Sequence, residues 1–240
     1  MPTYSDVARL DGEAKALLLK ILERYAYRQR MVVNVMGHGL KYLPGLDDKR
    51  GFLEELDHAF HVLAEIERMY DALGGVELIN AIRPRMERIP YPDSRQELAV
   101  GLSLVRRAAR VSALSFQDCI SKDFAALSKT VLHAPDNSQE EEARFQEFAQ
   151  DSSNRVQAQK YWDRWLALGL LSLGRPGAKG DALAVSTGIR KVSSTEVVRN
   201  FLAETEAMRE ACGLDRTELV GFGIQLPEDL RGRYGASGLT

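Results

Sequence analysis

The sequence predicts an all-α fold: an antiparallel four-helix bundle with an additional C-terminal helix and an irregular tail. Three observations carry this expectation. Apolar residues recur at three- and four-residue spacing along most of the chain, and almost nothing alternates with period two. Helix-start signals, Ser or Asp followed by acids, alternate with stops rich in Gly and Pro. The four long stripes between those stops run about 25 to 38 residues each, roughly 38 to 57 Å at ~1.5 Å per residue, and helices of that length need one another to bury their apolar faces.

The first helix starts after Asp11 and carries Ala14, Leu17, Leu18, Ile21, Leu22 and Tyr25 on one face towards Met36. Gly37-His38-Gly39 weakens it and Pro44-Gly45 ends it. Asp47 or Asp48 caps the second helix, which runs through FLEELDHAFHVLAEIERMYDAL to the glycine stop at Gly74-Gly75. A connector with Pro84, Pro90 and Pro92 follows, in which Val76 to Ile82 add a turn or two.

Asp93 or Ser94 starts the third helix, and Ser94-Arg95-Gln96-Glu97 fits a capping box. Its stripe of Leu98, Leu102, Val105, Ala109, Phe116, Ile120, Leu127 and Val131 persists to Pro135. The fourth helix begins near Ser138, with Glu140 to Glu142 in its first turn, and continues through Phe145, Phe148, Val156, Trp162, Trp165 and Leu166. Gly174, Pro176, Gly177 and Gly180 close it. A second capping box, Ser193 to Glu196, opens the additional helix to Cys212-Gly213, and Leu214 to Thr240 reads as the tail. Together these make one domain over 1–240, with the bundle core at about 11–173 and the added helix and tail at about 187–240. The second connection is longer than the first, which suits a crossover between the second and third helices, the arrangement of ferritin-like folds.

Composition narrows the function classes. The chain has 240 residues, 45% hydrophobic and 28% charged, which excludes a mainly disordered protein. Lys and Arg (32) nearly cancel Asp and Glu (34), so no global field draws it to nucleic acid or an anionic membrane, and neither partner is expected. Cys119 and Cys212 lack the spacings of zinc or thiol redox motifs and read as buried or half-buried thiols. The N-terminus has an early acid and no apolar h-region, and the most apolar stretch, Trp165 to Leu173, is half the length of a membrane span. A cytoplasmic protein is the expectation.

The segment Glu54 to Arg68 holds the most chemistry. Glu55 and His58 form a Glu-x-x-His pair, and His61 follows one turn on, so each neighbouring pair can offer two ligands to one metal. At about 100° per residue, Leu56, Phe60, Leu63, Ile66 and Tyr70 share one arc, Glu67 falls within it, and Glu54, Asp57, His58, His61, Glu65 and Arg68 lie opposite. That polar stripe is a solvated face, a metal-facing one or an interface. On the third helix Asp118 and Lys122 stand in i,i+4 register, an ion-pair spacing. Glu147, Gln150, Asp151 and Asn154 are the polar residues where a second carboxylate-histidine set would fall, and no histidine joins them. Arg106, Arg107 and Arg110 form the one basic cluster, either a solvated face or a contact for the phosphate of a ligand such as a coenzyme A thioester. Trp162 and Trp165 read as core or interface. Dinucleotide, phosphate-loop, serine-elbow and zinc-protease motifs are absent from the sequence.

Several segments resemble the ferritin-like family that includes the phenylacetyl-CoA monooxygenase subunits. They are Gly37-His38-Gly39-Leu40-Lys41-Tyr42-Leu43-Pro44 with Asp48-Lys49, Tyr70 to Gly75 at the end of the Glu/His helix, Arg-x-Pro, Pro92 to Leu98, and an echo at Leu226-Pro227-Glu228-Asp229. The resemblance covers about the first two-thirds of the chain. It implies a di-iron centre that activates oxygen, or, in subunits that have lost the metal, a structural partner. Carried over by residue, only Glu55 and His58 fit the Glu-x-x-His motif; Glu23 is the only acid near the first-helix position, beside Tyr27, Arg28 and Arg30. The second Glu-x-x-His is missing.

Two readings therefore stand. One is an iron-dependent oxygenase with an unusual ligand set drawn from Glu55, His58, His61, Glu23, Asp118 and Glu147. The other is a metal-free helical subunit, a homodimer or part of an oxygenase complex, that binds a protein or an acyl-CoA-type ligand through Arg106, Arg107 and Arg110.

Overall fold

The computed structural model describes residues 4, 6–87, 89–134 and 138–235. Among these residues the regular structure is ten α-helices and three short 3-10 turns, with no strand, so the protein is all-α. The helices are α1 (Gly12–Gly39), α2 (Leu46–Ala72), α3 (Leu78–Met86), α4 (Arg95–Leu114), α5 (Lys122–Leu132), α6 (Ser138–Gln150), α7 (Arg155–Leu173), α8 (Lys179–Ser186), α9 (Ser194–Ala211) and α10 (Glu228–Tyr234).

The helix starts follow the expected chemistry. Asp11 accepts the Ala14 N–H at 2.8 Å, Ser94 that of Glu97 at 3.0 Å and Ser193 that of Glu196 at 3.2 Å, each satisfying an orphan donor of the first turn. For α2 the cap is Gly45 rather than Asp47 or Asp48; Asp48 reaches back to the Gly45 N–H at 3.1 Å. Its end is as expected, with Gly74 left-handed at φ 74°.

Elsewhere the structure corrects the sequence reading. α1 runs through Gly37-His38-Gly39, because the missing Cβ of Gly39 makes room for Leu98 of α4; a Cβ there would lie 2.6 Å from Leu98 Cδ1. The connector after α2 holds a full helix, α3, with Pro84 inside it.

The expected third helix is two. The chain leaves helix at Ser115 because its backbone finds partners on the segment after α8: Lys191 N–H donates to Ser115 O and Ile120 N–H to Gly188 O, both at 2.9 Å. Ser121 then caps α5 through the Phe124 N–H. The expected fourth helix also breaks, at Asp151, whose carboxylate accepts the Ser153 N–H at 2.9 Å and hydroxyl at 2.7 Å, a local turn that competes with the helical ladder. Finally, the Gly-rich loop contains α8 and the tail contains α10.

α4 is the hub. It packs against α1, α5, α6, α7 and α9, while α2 packs against α1 and α5. Trp162, Trp165, Phe124, Phe145 and Phe201 fill the core, which places both tryptophans inside it. Cys119 and Cys212 are buried free thiols. On α2 the buried stripe is Phe52, Leu56, Ala59, Val62, Leu63, Ile66, Met69 and Tyr70. Phe60 and Glu67, expected on that arc, are exposed, because the contact with α1 and α5 is narrower than the arc and centres on Ala59 and Val62. No helix among the described residues is long and apolar enough to cross a membrane.

Candidate functional site

A cavity of about 370 Å³ lies between α2, α4 and α5, lined also by Gln29 and Val32 of α1 and by the start of α6. Its volume falls within the range of small-molecule sites, roughly 300 to 1,000 Å³. Into it come Glu55 and His58 from α2 and Arg106, Arg107 and Arg110 from α4, the two groups singled out separately in the sequence. Helical spacing explains each half: Glu55 and His58 lie one turn apart, as do Arg106 and Arg110. Their meeting is a property of the tertiary packing.

The Glu55 carboxylate is 95% buried, with a side-chain exposure of 5%, and forms an ion pair with the Arg106 guanidinium. Arg106 Nε and Nη1 are buried without a hydrogen-bond partner among the described residues. Arg107 pairs with Glu142 of α6, which also accepts the Ser103 hydroxyl at 2.9 Å, and donates to the Glu204 carbonyl at 3.3 Å. Arg110 is exposed and has no carboxylate at ion-pair distance among the described residues. His58 is half-buried and its Nε2–H donates to the Thr130 carbonyl at 3.2 Å, tying α2 to α5. Val32, Ala59, Val62, Val131 and Leu132 supply an apolar wall. Three guanidiniums face two carboxylates, so the lining favours an anion with an apolar portion.

The remaining candidates lie elsewhere. His61 is exposed and its Nδ1–H donates to the Asp57 carbonyl at 2.9 Å on its own helix. Glu23 is buried on α1, paired with Lys20 at 2.7 Å and hydrogen-bonded by the Tyr70 hydroxyl at 3.5 Å. Asp118 sits in the α4–α5 loop and pairs with Lys191 at 2.7 Å rather than with Lys122, because the helix that would have aligned the two has ended. That lysine holds its carboxyl below the usual range. Glu147 is exposed on α6.

A ferritin-like di-iron centre takes a Glu from each of two helices and a Glu-x-x-His from each of the other two. Of the six candidates, Glu55 and His58 share a cavity, and a guanidinium stands against the carboxylate. No group of three or more His, Cys, Asp or Glu side chains among the described residues is placed to hold one metal ion. As placed, this donor set does not fit a di-iron centre.

Sequence reasoning missed two members of the site. Gln29 of α1 lines the cavity and donates to the Ala59 carbonyl at 3.0 Å, fastening α1 to α2. In the sequence Glu142 stands only as a first-turn acid of its helix. No local signal marks either residue, because α1, α4 and α6 meet at this cavity only through tertiary packing. Arg28, the chain neighbour of Gln29, is buried outside this cavity, donating to the Ser172 carbonyl of α7 at 3.1 Å and lying 5.0 Å from the Tyr25 ring centroid. Burial pushes its pKa down to about 10. No protein-family model matches the chain, and no curated protein matches its sequence.

Proposed function

We propose that the chain is a ferritin-like helical protein of the di-iron oxygenase superfamily, similar to subunits of phenylacetyl-CoA monooxygenase. In this reading the metal centre is incomplete and the α2–α4–α5 cavity binds an anionic, partly apolar ligand of the acyl-CoA type. One observation carries it: Arg106 pairs with Glu55, so a fixed cation takes the place that a metal would need beside the motif carboxylate. The other cavity groups suit the ligand. Arg110 offers a guanidinium without an internal carboxylate, and a bidentate contact to phosphate or carboxylate oxygens is its strongest use. The apolar wall accepts an acyl or aryl group, and His58, held by Thr130, faces it.

The chemistry available to these residues is binding and charge stabilisation. Arg106 and Arg110 hold negative charge in a site partly shielded from water, where electrostatic contacts exceed their strength in bulk solvent. Isothermal titration with phenylacetyl-CoA, and with phenylacetate and free coenzyme A as its parts, tests the reading. The thioester binds more tightly than either part, and Arg110→Ala weakens it by about tenfold or more, the loss of one charge-assisted contact of ~1.5–3 kcal/mol. Absence of saturable binding by all three compounds contradicts the assignment.

The iron-dependent alternative has one observation in its favour: Glu55 and His58 line the same cavity. It requires Arg106 to leave the carboxylate, so iron content separates the two readings.

A further inference from the structure

A second cavity, of about 830 Å³, opens on another side of the molecule, where α1, α3, α7 and the turn between α7 and α8 meet. Arg24 reaches it from α1, Arg85 from α3 and Arg175 from the turn. Among the described residues no acid lines it, and Leu168, Leu171 and Val198 provide an apolar wall. Among the described residues, none of the three arginines has a carboxylate at ion-pair distance. The acids whose field reaches Arg24 are engaged elsewhere. Asp181 pairs with Arg190 at 3.4 Å and accepts the Ser194 N–H at 2.7 Å, and Glu23 pairs with Lys20 at 2.7 Å.

Three guanidiniums around one space repel one another, weakly where water reaches Arg85 and Arg175, and an anion between them relieves that repulsion. The repulsion has a direct sign: burial pushes the Arg24 pKa down, and the charges of Arg85 and Arg175 push it the same way. The backbone is shaped to the cluster as well. Gly174 takes φ 110°, and a Cβ there would stand 2.9 Å from Arg24 Nη1 and 3.1 Å from Ser194 Oγ. The positive φ is what calls for glycine in the turn that carries Arg175 past the Arg24 guanidinium.

We propose that this cavity binds a small molecule bearing a diphosphate, its oxygens held by Arg24, Arg85 and Arg175 and its organic part against Leu168, Leu171 and Val198. Guanidinium forks match phosphate oxygens in bidentate geometry, and three of them from three elements suit a doubly or triply charged group better than a single carboxylate. The volume is that of a small-molecule site. The inference does not rest on the reading of the first cavity, because it uses none of the same residues.

The test is isothermal titration at constant ionic strength with three probes: inorganic phosphate, inorganic pyrophosphate and adenosine diphosphate. Arg85 and Arg175 are exposed and have no carboxylate at ion-pair distance among the described residues, so Arg85→Ala/Arg175→Ala keeps the fold, checked by its circular dichroism and melting temperature. The expected result is saturable binding of pyrophosphate and adenosine diphosphate, weakened at least tenfold in that variant and unchanged in Arg50→Ala/Arg68→Ala, which removes the same charge from exposed positions outside both cavities. Three results overturn the proposal: no saturable binding of either diphosphate, equal affinity in wild type and Arg85→Ala/Arg175→Ala, or loss of binding only in Arg107→Ala/Arg110→Ala. Binding of inorganic phosphate alone overturns the diphosphate assignment.

Discussion

Arg164→Ala probes the lock that sets the hub helix. Glu97, in the first turn of α4, has no exposed surface. It accepts the Asp93 N–H at 2.9 Å, the Trp165 Nε1–H at 3.1 Å and Arg164 Nη1 at 2.7 Å, so α4 and α7 are joined through one carboxylate. Removing the cation strands a buried charge, which costs about 3–5 kcal/mol where both partners are enclosed. A third of the Arg164 side chain meets water, and Glu97 keeps two donors, so about 2–4 kcal/mol is expected here.

The pH dependence has a definite sign. Burial, and the Asp93 side chain beside it, hold the Glu97 pKa above the ordinary glutamate value even with Arg164 present. Without Arg164 it rises further. A carboxyl with a raised folded pKa contributes stability below its unfolded pKa and loses it as pH rises through the folded one. Urea unfolding should therefore show a larger loss for Arg164→Ala at pH 8 than at pH 5. In a Glu97→Gln background, where no charge is stranded, the same substitution should cost less than about 1 kcal/mol. A loss under about 0.5 kcal/mol at both pH values, or an equal loss with and without the Glu97 charge, refutes the lock.

Gly101→Ala tests the α4–α7 approach: its Cβ would lie 2.8 Å from two indole atoms of the buried Trp165, and overpacking outweighs the helix-propensity gain by about 1–2 kcal/mol, read by urea unfolding. Unchanged stability would contradict the packing. The Cys119 and Cys212 thiols, pushed up to about 11 by burial, should resist iodoacetamide at pH 8 until urea is added; alkylation at the rate of a free thiol would show them accessible. Glu206 accepts from Arg209 and Arg216, which hold its pKa near 2 against an ordinary 4.5. Its contribution is complete above pH 4.5 and fades as pH falls towards 2, so Glu206→Gln should flatten the stability profile in that window; an unaltered profile would refute it.

Helix existence was readable wherever a side chain marks the boundary: Asp11, Ser94 and Ser193 cap three helices as their spacing indicates. The breaks were not readable. The apolar stripe continues in phase across Ser115 to Ser121, and what ends α4 is pairing with Gly188 and Lys191, about 70 residues away in the chain. The site shows the same division. Helical periodicity gathers Glu55 with His58, and Arg106 with Arg110, but nothing local says that α2 and α4 present these faces to one cavity. Glu23 is the acid nearest the first-helix position that the resemblance implies, and Asp118 and Glu147 are acids on the expected third and fourth helices, but packing sends each to a different place: a partnered position on α1, a loop salt bridge and the surface of α6. The Arg24, Arg85 and Arg175 cluster, drawn from three elements, has no sequence signature at all.

The central claim, that a guanidinium rather than a metal stands against Glu55, is tested most directly by iron content. Protein purified from iron-supplemented cells should carry iron far below one atom per chain, with no change in His58→Ala. Near-stoichiometric iron that disappears in His58→Ala would contradict it.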